Sequence, residues 1–247
     1  MDVSGMKILK KISDNALTLH TFLNRQELAQ KLAQRVATQL SVSIQNRGSA
    51  NLALSGGSTP KIFLQELSKK DIDWGKIMVT LVDERFVSLD DSRSNQALIS
   101  QYLLQKKARK SSFIALYYPS DTVQESALLA NDKIRKFIDF PFDVVVLGMG
   151  IDGHTASFFP KGNNLAMALD TNTPPSIIAT EDPSINEKRI TMTFSALRDA
   201  RFLSLHIESV RKKDILEVAL SGFSEEEMPI RAILRRATSP VDIYWAP

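Results

Sequence analysis

Residues 51–60 read Asn51-Leu52-Ala53-Leu54-Ser55-Gly56-Gly57-Ser58-Thr59-Pro60. An apolar run enters two glycines, then two hydroxyl residues, then a proline suited to the first turn of a helix. Strand, tight turn and helix in that order form the repeating unit of an α/β domain. Outward from this stretch the pattern recurs. Gln26–Gln45 carries Leu28, Leu32, Val36 and Leu40 on one helical stripe, and Asn95–Leu104 and Val123–Ile138 show similar periodicity. Apolar, β-branched runs at Asn51–Ser55, Ile77–Val82, Asp143–Leu147, Ile177–Thr180, Ile190–Phe194 and Phe202–Ile207 read as buried strands. The alternation predicts an α/β chain with a mostly parallel sheet covered on both faces. The stretch 163–175, with Thr173-Pro174-Pro175, reads as a loop, so residues 1–247 are expected to form a single domain.

Composition narrows the function classes. With no cysteine among 247 residues, disulfides, thiolate zinc sites and cysteine nucleophiles are excluded. The 31 basic and 28 acidic side chains are interspersed, which argues against a nucleic-acid partner. The densest basic runs, Lys106–Lys110 and Arg211–Lys213, fall in helix-like stretches and read as solvated faces. No apolar stretch reaches membrane-spanning length, and the N-terminal MDVSGMKILKKISD lacks a signal core. These features point to a cytoplasmic protein without a membrane partner.

In open α/β sheets, ligands sit at the carboxyl ends of strands. The loops after Ser55, Val82 and Leu147 are therefore the candidates. In the first, Gly56, Gly57, Ser58 and Thr59 either seat a phosphate on bare backbone and a helix start or make an ordinary turn with a hydroxyl cap. In the second, Asp83-Glu84-Arg85 places three charges directly after a buried strand. Arg85 could fork onto a phosphate while the Asp83 and Glu84 carboxylates orient it or the substrate hydroxyls, or the three could form a local ion-pair cluster. Ser94 can cap the following helix, and Asn95 can face the site. The third runs Leu147-Gly148-Met149-Gly150-Ile151-Asp152-Gly153-His154-Thr155-Ala156-Ser157-Phe158-Phe159-Pro160. A histidine beside a carboxylate suits a general base for water, which makes His154 and Asp152 the catalytic candidates. Two such ligands make no metal site, and Ser157 reads as a helix cap. His20 and His206, embedded in apolar or mixed runs, read as structural.

Taken together, Leu54–Pro60, Asp83–Val87, Ser94-Asn95, the Gly148–Pro160 block and Arg189-Ile190-Thr191-Met192-Thr193 resemble the glucosamine-6-phosphate isomerase/6-phosphogluconolactonase family from about residue 26 onward. The resemblance implies a Rossmann-like three-layer α/β/α fold, a sugar-phosphate lactone substrate, no cofactor or metal, and a monomer or weak homodimer. It also implies lactone hydrolysis to 6-phosphogluconate in the pentose phosphate pathway. By the same resemblance Gly150 and Arg189 line the site, and Lys212 or Lys213 reaches the phosphate. From the residues alone Arg189 is either site wall or a structural ion-pair partner, and its place in the family block favours the wall. The deaminases of the family typically continue Ile-Ala-Phe-Asn-Glu-Pro after Gly-His, whereas here Thr155–Pro160 follows and the glutamate is absent. A deaminase, or a non-catalytic sugar-phosphate-binding regulator, is the alternative. Ser209 stands where the family usually has glycine, and Trp245 is followed by Ala246-Pro247 rather than an aspartate.

Overall fold

A computed structural model describes Met6–Ile8 and residues 16–247. Apart from Met6–Ile8, the N-terminal segment read for a signal core lies outside the described residues.

The chain runs β1 (Met6–Ile8), β2 (Leu17–Thr21), α1 (Arg25–Arg47), β3 (Ala50–Leu54), α2 (Lys61–Ser68), β4 (Ile77–Leu81), β5 (Asp83–Arg85), α3 (Asn95–Tyr102), β6 (Ser112–Phe113), α4 (Val123–Phe137), β7 (Val144–Leu147), α5 (Leu165–Leu169), β8 (Ile177–Asp182), β9 (Glu187–Met192), α6 (Phe194–Leu197), β10 (Leu203–Glu208), α7 (Val210–Ser221), α8 (Ile230–Arg236) and β11 (Val241–Ala246). Seven strands pair in parallel in the order β2-β11-β10-β7-β3-β4-β6, and β1 adds to β2 antiparallel. Helices flank this sheet in a three-layer α/β arrangement, as the alternation predicts.

Local chemistry explains the best-read elements. α1 starts where the Asn24 side chain accepts the Glu27 N–H at 2.9 Å and stops at Gly48, whose φ of +83° ends the helical path. Its stripe of Leu28, Leu32, Val36 and Leu40 is fully buried and packs across β3, β7 and β11. Truncating any one of these leucines would cost about 2–5 kcal/mol. β7 is buried along its whole length, as expected of a strand covered on both faces.

Three expectations are corrected. The runs at Ile177–Thr180 and Ile190–Phe194 supply strands β8 and β9, the second ending at Met192 before α6, but β9 pairs antiparallel with both β8 and β5 in a second, three-stranded sheet ordered β5-β9-β8. A short run of apolar residues shows burial and not the direction of its partner. The charged segment after Val82, expected as a loop, is β5 itself, with Arg85 opposite Arg189 and Asp83 opposite Thr191. The stretch 163–175 contains a short helix, α5, whose apolar Leu165, Ala168 and Leu169 are buried.

The path through the large sheet locates the crevice. From β3 the chain steps outward to β4 and β6, and from β7 it steps the opposite way to β10 and β11. β3 and β7 are neighbours, so the connections leaving them part at the point where the order reverses.

Candidate active site

The two glycine-rich segments lie side by side at that reversal. Ser55 N–H donates to the Val146 carbonyl at 2.9 Å, and the Gly148 N–H donates to Ser55 Oγ at 3.0 Å. A cleft of about 200 Å³ opens here, lined by Ser55 to Pro60 and Leu147 to Gly150 and closed by Asp83, Arg85, Asn95, His154, Arg189, His206 and Lys212.

At one end is the Gly56–Thr59 turn. Neither Ser58 nor Thr59 caps α2, and Pro60 occupies the N-cap position without a side-chain bond, which rules against the hydroxyl-cap alternative. The turn's N–H groups and the start of α2 thus stay available to an anion. Gly56 is required by close approach, because a Cβ there would fall onto the Asn95 amide.

Beside the turn, Arg85 Nη1 donates to Asn95 Oδ1 at 2.8 Å and to the Arg93 carbonyl at 2.5 Å. The amide of Asn95 also donates to the Asp83 carbonyl at 2.9 Å. Glu84 organises the group without ion-pairing to Arg85. Its carboxylate accepts N–H bonds from Arg85, Asn95 and Gln96 at 2.7–2.8 Å, tying β5 to the start of α3. Burial pushes the Glu84 carboxyl up from its ordinary range, against the pull of those three donors. Ser94 caps α3 as expected, accepting the Ala97 N–H at 3.1 Å.

At the other end, His154 Nδ1 lies 2.6 Å from Asp152 Oδ1, which also accepts the His154 N–H at 3.1 Å. Burial opposes ionisation of Asp152, but the hydrogen bond and charge of His154 outweigh it and hold the carboxyl below its usual range. Asp152 does not line the cleft and reaches it through His154. A side chain on Gly150 would land on both members of the pair. Gly153, at φ +81°, packs against Met228, and its carbonyl accepts the Ile230 N–H at 2.9 Å.

Between the two ends, the Asp83 carboxylate accepts the Ser157 hydroxyl at 2.7 Å. Ser157 therefore ties its loop to β5 and caps no helix, a correction to its expected role. Arg189 is almost fully buried, paired with Glu187 at 2.5 Å and lying 3.8 Å from Asp83.

The structure brings Lys212 into the cleft and leaves Lys213 out. Lys212 Nζ donates to the Met149 carbonyl. Its pKa falls below the ordinary lysine value because burial and Arg211 outweigh the help of Asp152. Lys213 instead points over the Trp245 ring, with Nζ 4.8 Å from the centroid. Ser209 caps α7 with φ +83° and ψ 152°, a conformation favoured by glycine.

One cleft residue was read as purely structural. His206 pairs with Glu208 at 3.1 Å, yet it also lines the cleft. Its place at the carboxyl end of a strand beside the crevice was the available signal, masked by its apolar neighbours. Among the described residues, no three His, Cys, Asp or Glu side chains gather as a metal cage, and no helix is long and apolar enough to cross a membrane.

Comparison with known proteins identifies the relatives of the chain. The family described as glucosamine-6-phosphate isomerases/6-phosphogluconolactonase matches residues 23–245. The chain is 49% identical over 229 residues to the 6-phosphogluconolactonase of Rhizobium meliloti, covering 93% of this chain and 98% of that protein. It is 38% identical over 243 residues to the Pseudomonas putida 6-phosphogluconolactonase, covering 98% of each. The crystal structure of a 6-phosphogluconolactonase from Shewanella baltica superposes with a TM-score of 0.90 at 37% identity, covering 98% of this chain and 100% of that one.

Proposed function

The chain belongs to the glucosamine-6-phosphate isomerase/6-phosphogluconolactonase family, and on that premise we propose that it hydrolyses 6-phosphoglucono-1,5-lactone to 6-phosphogluconate with His154 as the base. The carrying observation is the Asp152–His154 pair at 2.6 Å, with His154 lining the same cleft as a bare-backbone turn, Arg85 and Lys212. The reading takes the chain as one domain working in the cytoplasm.

The phosphate rests on the Gly56–Thr59 turn, with Arg85 and Lys212 supplying positive charge. Asp83, Asn95 and Arg189 shape the wall along the sugar, and Gly150 lets the backbone come close to the reacting carbon. With Nδ1–H donated to Asp152, the His154 ring presents the Nε2 lone pair. Nε2 takes a proton as water oxygen bonds to the lactone carbonyl carbon. When the ring C–O bond breaks, that proton goes to the departing ring oxygen, leaving the open-chain acid. A lactone is an activated ester, so this route needs no covalent intermediate.

The test follows hydrolysis of freshly made lactone above its spontaneous rate, with glucosamine 6-phosphate offered in parallel. Acceleration of the lactone alone supports the reading. Ammonia release moves the chain to the deaminases, and ligand binding without turnover of either leaves a regulator.

A further inference from the structure

The Asp152 bond holds only one corner of the imidazole. Both partners sit on the same glycine-rich loop, and their side chains are 32% and 47% exposed, so they could swing together. A ring contact braced from the second sheet would fix the plane of the imidazole. Phe159 supplies that contact. Its ring is buried, lies 4.8 Å from the imidazole centroid and is tilted at 47° to it. The Phe159 carbonyl accepts the Gly162 N–H at 3.0 Å, closing a turn that fixes the residue's backbone.

Phe159 is itself held from the second sheet. The Arg189 guanidinium carbon lies 5.2 Å from the Phe159 centroid, and Glu187 fixes the guanidinium at 2.5 Å. The other oxygen of Glu187 accepts from Arg93 at 2.8 Å, so β9 is joined to the segment that carries the Arg85 partners. A chain of contacts therefore runs from the phosphate end of the cleft to the reacting end.

Resting on the reading of His154 as the base, we propose that Phe159, braced by Arg189, is a positioning residue that holds the His154 ring in line with the attacking water. Phe159 touches the imidazole and does no chemistry itself. An aliphatic side chain fills much of the same volume but gives the imidazole no flat partner.

The experiment compares Phe159→Leu, His154→Ala and the double variant with the unaltered chain. It reads lactone turnover above background, KM, 6-phosphogluconate affinity and melting temperature. Phe159→Leu should lower kcat about tenfold while KM and product affinity stay within about twofold, because alignment and not binding is lost. Placed on His154→Ala, it should cause no further loss, since the ring it positions is gone. Normal kcat in Phe159→Leu overturns the proposal. So does a raised KM with kcat intact, or a loss that multiplies with that of His154→Ala. Full turnover in His154→Ala would bring down the base assignment and this proposal together, whereas an inactive His154→Ala with normal Phe159→Leu sinks the positioning role alone. Should Phe159→Leu not fold, Phe159→Met carries the same test.

Discussion

His154 and His206 border the same cleft, and each pairs with a carboxylate two positions away in sequence, yet they are built to opposite ends. His206 stands on the regular strand β10, where the two-residue period puts Glu208 on the same face. It is 2% exposed, meets the edge of Phe63, and leaves Nδ1 buried without a partner. His154 stands where the chain has left the sheet, and Asp152 reaches it only because the loop turns back on itself. Its side chain keeps 32% of its exposure. On the proposed reading, solvent access separates the two dyads, since His206 also keeps a ring nitrogen without a partner but buries it. The same dyad inside a strand ladder is a structural tie.

The largest test of that contrast is His154→Ala, which should reduce kcat by about a hundredfold or more in the lactone assay. Equal losses on removing His206 would erase the distinction. Arg85 sharpens it from the anchoring end. Arg85→Ala should raise KM about tenfold or more with a smaller change in kcat, the cost of one charge-assisted contact to phosphate. A pure kcat loss would move Arg85 to the reacting end.

The two histidines also show what the sequence could carry. Glycine spacing and a lone polar pair made the His154 loop legible, because those residue types have few other uses after a buried strand. The parallel sheet and α1 were legible for the same reason, since their periodicity is imposed by burial. The antiparallel β5-β9-β8 sheet was not, because Ile190–Met192 looks the same whichever neighbour it meets. Nor could sequence separate Lys212 from Lys213, since one residue along a helix rotates the side chain by about 100°, enough to leave the cleft for Trp245. The sequence shows His206 as structural but not that it borders the cleft, since apolar neighbours describe the strand and not the cavity at its end.

Removing His206 should register in stability before chemistry. In His206→Leu the Glu208 carboxylate loses its imidazole partner and keeps, among the ion pairs of the described residues, Arg25 at 3.4 Å. A loss of about 1–3 kcal/mol in unfolding free energy is expected, read by denaturant titration. Unchanged stability with collapsed turnover would make His206 part of the reaction and overturn the contrast.

The smallest expected effect concerns the charge proposed to hold the phosphate. Lys212 is depressed below the ordinary lysine value of 10.5, chiefly by burial, so in the free protein it loses its proton before an exposed lysine would. As pH rises toward that ordinary value, a growing fraction of the cleft lacks this charge and anion binding weakens. Bound phosphate favours the ammonium form, so binding should take up protons in the same window. Calorimetry with 6-phosphogluconate, which avoids alkaline breakdown of the lactone, should show Kd rising by up to about tenfold across the alkaline range. Lys212→Arg should flatten that rise, because a guanidinium stays charged throughout. Lys213→Arg should leave the rise in place, since its ammonium lies over Trp245. A flat profile in the unaltered chain, or one flattened by Lys213→Arg instead, would assign the phosphate charge to the wrong lysine.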